Sequence, residues 1–160
     1  MSGPVSDPQL MRAAIAEAAV GLAAGDGGPF GAVVTCDGVI IARGHNQVVG
    51  LNDPSAHAEV QAIRAACREL GTFDLTGCEI YATCEPCPMC FAAIHWARLD
   101  RVHFGASRGD AAAVGFDDAA IYDVLAERRE PAFEVLPDVD ADACRRLMQQ
   151  WRDDEDRVPY

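Results

Sequence analysis

Glu79-Ile80-Tyr81-Ala82-Thr83, then Cys84-Glu85-Pro86-Cys87-Pro88-Met89-Cys90, then Arg101-Val102-His103-Phe104-Gly105 decide the fold. The first and last runs read as short strands. Pro86-Cys87-Pro88 between them opens a helix that runs to about Arg98. A strand, a helix and a strand in that order imply parallel strands joined by a right-handed crossover. Working back toward the N-terminus, a helix is expected from about Ala56 to Leu70, with Val60, Ile63, Cys67 and Leu70 on its buried side. Residues 44–56 and 25–31 read as loops. Ala32–Thr35 and Val39–Ala42 form a hairpin turning at Cys36-Asp37-Gly38. Asp7-Pro8 caps a first helix with Met11, Ile15, Ala18 and Leu22 on one face, ended by Gly25. Toward the C-terminus, Asp117 or Asp118 caps a helix through about Arg128, Phe133–Leu136 is a last strand, and a final helix spans about Asp140–Arg152. The expected architecture is α/β, a mixed five-stranded sheet with helices on both faces.

Half of the 160 residues are apolar and 24% are charged, which suits one globular domain over residues 1–160 with a loose acidic end. The formal net charge is −12, and all 13 basic residues are arginine. Such a chain repels phosphate backbones, so no nucleic-acid partner is expected. The Ala-rich stretch after Leu10 is interrupted by Arg12 and Glu17, and no membrane span or export signal is read. The expected location is the cytoplasm. Seven cysteines is an odd number, and in a reducing compartment metal binding or plain burial is expected of them. Cys36, Cys67, Cys78 and Cys144 are read as thiols.

Chemistry concentrates in His57-Ala58-Glu59 and Pro86-Cys87-Pro88-Met89-Cys90. Either half alone has an ordinary structural reading. Together they offer one imidazole, two thiolates and a carboxylate, the donor set of a catalytic zinc site with an open position. Cys87 and Cys90 are three apart at a helix start, where exposed amides favour thiolates. Zinc with two thiolates and a neutral imidazole is formally neutral and acidifies water weakly, so a base must assist. Glu59 is assigned that role, with His57, Cys87 and Cys90 as metal ligands. His57 and Glu59 lie about 200° apart on a helical wheel, so both meet a metal only off the helix end. The competing reading is a closed structural zinc site with Cys84 or His95 as fourth ligand.

These motifs resemble the zinc-dependent cytidine deaminase superfamily, whose signature pairs H-x-E with P-C-x-x-C. Within it, the chain looks like the small bacterial guanine deaminases. It is carried also by Gly28-Pro29-Phe30-Gly31-Ala32, Asn52-Asp53-Pro54, Cys84 to Cys90, Gly115-Phe116-Asp117-Asp118 and Ile121-Tyr122, and it ends with Tyr160. It implies an αβα deaminase sandwich, a Zn²⁺ cofactor and hydrolysis of guanine to xanthine and ammonia. Zinc-bound hydroxide attacks the amino-bearing carbon in that scheme, and Glu59 shuttles protons to the ring nitrogen and the leaving amine.

The choice of base falls to other residues. Asn46 either closes an Asx turn or reads a ring edge with its amide. Phe30 either joins the core or stacks on the base, and Trp96 either packs in the core or walls the pocket. The resemblance gives the Ala58 backbone amide to the substrate as well. Asp118 either caps a helix or accepts a hydrogen bond from a purine N–H, which guanine offers better than adenine. In the enzymes it resembles, the terminal segment, here about 153–160, crosses to a partner and its last aromatic, Tyr160, covers that partner's pocket. A swapped homodimer acting on a small-molecule purine base is therefore expected. The alternatives are a deaminase of guanosine or of another small aminated heterocycle such as ammeline. Less favoured are a tRNA adenosine deaminase and a zinc-stabilised binding protein without catalysis.

Overall fold

The protein is described by a computed structural model over residues 6–159. Asp7 caps α1 (Pro8–Ala24) by accepting from the Gln9 N–H at 2.8 Å, and Gly25 ends it in the left-handed region. β1 (Gly31–Cys36) and β2 (Val39–His45) form the hairpin. A short α2 (Val48–Leu51) follows within the stretch read as loop. Then come α3 (Ala58–Leu70), β3 (Cys78–Cys84), α4 (Pro88–Trp96) and β4 (Arg101–Ala106). Three further helices complete the order: α5 (Arg108–Ala113), α6 (Ala119–Leu125) and α7 (Ala141–Asp153).

The sheet order is β2-β1-β3-β4. β1 pairs antiparallel with both neighbours, and β3 pairs with β4 in parallel across the α4 crossover, as expected. The sheet has four strands, not five. Phe133–Leu136 forms no strand, and its flanking Pro131 and Pro137 limit a four-residue run to very little ladder. Phe133 and Leu136 stay exposed.

Side chains alternate between the two faces of the sheet. Val33 and Tyr81 meet Leu10 and Ala14 of α1 on one face. Ala32, Val34, Ile80 and Ala82 meet Ala62, Ile63, Ala66 and Ile94 of α3 and α4 on the other. The α1 stripe runs through Leu10, Ala14, Ala18 and Gly21, one position off the expected Met11-Ile15-Ala18-Leu22 face, and Ile15 and Leu22 point outward. On α3, Ile63 is buried and Cys67 packs against the core as expected, but Ala58, Ala62 and Ala66 take the other contacts and Leu70 is exposed. Both helices sit so close to the sheet that small residues take the contact positions.

Cys36 and Cys78 face each other directly in the β1–β3 register and are joined as a disulfide. This corrects the expectation of thiols at those positions: their Cα atoms are 4.3 Å apart across the ladder. Among the described residues no helix is long and apolar enough to cross a membrane.

Candidate active site

Two helix starts meet above the sheet. His57 is the N-cap of α3, with extended backbone at φ −71° and ψ 155°. Cys87 is likewise the N-cap of α4, at φ −65° and ψ 168°. Neither residue follows the 100° helical step, which removes the difficulty of His57 and Glu59 facing apart: His57 hangs off the helix end while Glu59 occupies its first turn. Cys90, inside α4, is fully buried. Cys87 Sγ and Cys90 Sγ each lie 3.5 Å from His57 Nδ1. The three ligand atoms all fall within 4.8 Å of one another.

This donor set fits zinc. A tetrahedral ion with bonds of ~2.3 Å to sulfur and ~2.0 Å to nitrogen separates those ligand atoms by about 3.5 Å. Cys84 stands apart, its thiol donating to the Ser107 carbonyl at 3.7 Å, and His95 packs edge-on against Phe91. Among the described residues the metal-binding group is His57, Cys87 and Cys90 alone, which leaves a tetrahedral ion one open position.

The electrostatics agree. The hydrogen bond from Cys90, followed by that from His57, brings the Cys87 thiol down to about 4, while Cys90 retains the proton and is pushed up. The Cys87 interaction holds the His57 pKa above the usual imidazole value. Glu59 is buried, with its Oε2 at 3.4 Å from Cys90 Sγ, and burial pushes its carboxyl above the usual range. A carboxyl able to keep a proton beside a metal site suits acid–base work.

These groups open into a cavity of about 790 Å³, whose walls include Asn46, Phe30 and Asp118. Asn46 is buried, and its Oδ1 accepts from the Gly28 N–H at 3.3 Å and the Val48 N–H at 3.2 Å. The Asx-turn reading holds for the oxygen, which backbone N–H groups take, and the residue also lines the cavity. Phe30 meets Phe116 edge-on with ring centroids 4.9 Å apart. Asp118 is relieved of capping, because the Ala119 N–H is held at 2.9 Å by Asp117 and Asp118 makes no cap bond. Burial raises the Asp118 carboxyl pKa, with Cys87 adding to the rise. Ala58 lies buried between two cavity residues, at the start of α3.

Trp96 is not brought to this cavity. It ends α4 nine positions after Cys87 and is 67% exposed, which corrects its placement in the pocket wall. Six helical steps of 100° after Cys90, it stands well round the helix from the face that Cys90 turns to the site. Tyr160 lies outside the described residues. Sequence reasoning missed Glu85 and Arg108 in the cavity wall. Arg108 lies 4.5 Å over the Tyr122 ring, with its Nε 3.5 Å from Glu85, and the Tyr122 hydroxyl donates to the Pro86 carbonyl at 3.2 Å. The Ser107–Asp110 capping box that starts α5 was a readable signal for that segment, although not for the cavity.

Fold and site together define a zinc-dependent deaminase. Residues 4–106 match the model of the cytidine and deoxycytidylate deaminase zinc-binding region, and the chain belongs to that family. It is 46% identical to the guanine deaminase of Bacillus subtilis over 154 residues, covering 94% of this chain and 97% of that protein. A solved structure of guanine deaminase from Bacillus subtilis superposes with a TM-score of 0.87 at 43% identity, covering 98% and 99% of the two chains. The tRNA-specific adenosine deaminase of Aquifex aeolicus is 50% identical over 78 residues, 49% of this chain and 52% of that protein.

Proposed function

We propose that this chain hydrolyses guanine to xanthine and ammonia. The observation that carries the reading is Glu59: a carboxyl buried at the end of the cavity, within reach of the His57, Cys87 and Cys90 group. His57, Cys87 and Cys90 would hold a zinc ion, which when bound would supply the Lewis acidity that activates water. Glu59 takes a first proton from the attacking water and gives it to a ring nitrogen beside the amino-bearing carbon; a second proton, from the hydroxyl now on that carbon, passes through Glu59 to the amine, which leaves as ammonia as the carbonyl forms. The Asn46 NH₂ donates to an acceptor on the ring edge. The Asp118 carboxylate accepts from a ring N–H, which favours guanine over adenine. Phe30 and the Ala58 amide complete the contacts. The near full-length likeness to a guanine deaminase supports this choice of base, while the tRNA-acting relative matches over half the chain and a net charge of −12 opposes RNA.

The working unit in this reading is a cytoplasmic homodimer. α5, α6 and α7 contain no buried residue, and Leu125 and Leu147 remain about two-thirds exposed. Apolar faces of that extent suit a second copy. Segment 153–160 crosses to it, and Tyr160 covers the partner cavity.

The test is ammonia release from guanine, guanosine, ammeline, adenine and tRNA by zinc-replete protein, for wild type and Glu59→Gln. Guanine is expected to be turned over best. The variant is expected to keep its zinc and lose about 10²–10⁴ in kcat. Preference for another substrate, or an active variant, overturns the reading.

A further inference from the structure

His45 lies on the α1 face of the sheet, at the end of β2 and next to Asn46 in sequence, while α3 packs on the opposite face. Its ring is held at both ends. Nδ1 is 2.8 Å from Glu17 Oε1, and Nε2 is 2.8 Å from Asp26 Oδ2. A neutral imidazole has one N–H and meets only one of these carboxylates as a donor; the imidazolium meets both. The side chain also packs on α1 at Gly21, where an added Cβ would come within 2.6 Å of His45 Cδ2.

Asp26 is tied in several directions. Its N–H donates to the Gly21 carbonyl at 3.0 Å, and its own carbonyl accepts from the Val49 and Gly50 N–H groups at 2.9 Å each. Gly27 and Gly28, the next two residues, line the cavity with Val48 and Val49. The Gly28 N–H then meets Asn46 Oδ1, so the loop backbone holds the oxygen end of the Asn46 amide. The chain of contacts runs from His45 through Asp26 to the loop and on to Asn46.

We propose that His45 is a positioning residue for the substrate: bridged between Glu17 and Asp26, it locks the Asp26–Gly28 loop where Asn46 can present its NH₂ to the base. This rests on the proposed role of Asn46 in binding the base. The charged groups facing the ring are Glu17 from α1 and Asp26 from the loop. Arg43, two residues back on the same strand face, is exposed, and the facing β1 residues Gly31 and Val33 carry no charge. Burial disfavours the charged ring, but the two carboxylates outweigh it, and the His45 pKa is raised. The clamp is therefore complete below the ordinary imidazole value and is lost as pH rises through the folded value.

The experiment compares wild type, His45→Gln and Asp26→Asn as full-length, zinc-loaded protein. Amide hydrogen exchange is read at Gly28, Val48, Val49 and Gly50, with β3 amides as the control for global stability. KM and kcat for guanine are measured from about pH 6 to about pH 9. In His45→Gln, exchange is expected to quicken at those four amides and not in β3. KM is expected to rise about tenfold with little change in kcat, and to lack the upward drift with pH expected of wild type. If His45→Gln does not fold, Asp26→Asn reads the same clamp from its other end and is expected to move the same amides and KM. Unchanged exchange at the four amides, equal falls in kcat and kcat/KM, or superimposable KM–pH profiles overturn the proposal. A wild type inert toward guanine refutes the proposed function alone; the exchange measurement then decides the clamp by itself.

Discussion

Asp117 and Asp118 are adjacent, chemically identical and differently employed. Both line the cavity, but Asp117 holds the Ala119 N–H and so starts α6, while Asp118 makes no cap bond. Asp117→Ala is expected to lower stability by about 1 kcal/mol with little effect on guanine kinetics. Asp118→Ala is expected to do the reverse, reducing kcat/KM for guanine by about tenfold to hundredfold, the worth of a hydrogen bond to a charged group. Urea melts and steady-state rates on both variants separate the two. Equal kinetics for the pair would remove Asp118 from the substrate. At this scale the sequence was most readable where the chemistry is most demanding. His57, Glu59, Cys87 and Cys90 are residue types at spacings with few other uses. What stayed hidden was division of labour, as between Asp117 and Asp118. The two ends of the Asn46 amide were hidden too, because backbone partners brought in from distant positions decide them. Trp96 misled for a related reason: its distance from Cys90 along the helix said nothing about direction until the helix start was fixed.

At the scale of elements, the strand–helix–strand unit over β3, α4 and β4 was legible because turn chemistry and apolar runs agreed there. The buried faces of α1 and α3 were harder. A hydrophobic stripe weights large side chains, yet Ala14, Ala62 and Ala66 take the contacts while Ile15, Leu22 and Leu70 look outward. Close approach decides this. At Gly44 of β2 an added Cβ would lie 2.5 Å from the Ala62 nitrogen and 2.6 Å from the Ala58 carbonyl oxygen, both backbone atoms of α3. Gly44→Ala must push α3 away from the sheet. It is expected to cost about 1–3 kcal/mol in a urea melt. It is also expected to lower kcat/KM, because the N-terminal end of α3 carries His57 and Glu59. A stable variant with native kinetics would show that α3 can move without consequence for the site.

The C-terminal third is where single-chain reasoning ran out. The expected fifth strand at Phe133–Leu136 is irregular, and α7 lays Leu147, Met148 and Trp151 open to solvent. Apolar periodicity in the sequence marks a face for burial but not the chain that buries it. In the proposed dimer that chain is the second copy. Sedimentation at micromolar concentration is expected to give twice the chain mass, and truncation after Asp156 is expected to lower activity while leaving the fold and zinc content intact. A fully active truncated protein, or a monomer active at assay concentration, would sink the lid.

Every step in the account depends on an ion with one corner free for solvent. X-ray absorption at the zinc edge of the loaded protein measures that corner directly. One zinc per chain is expected, with two sulfur neighbours, one imidazole nitrogen and one further light atom from solvent. A third sulfur, which would bring in Cys84, or a protein that binds no zinc, would contradict it.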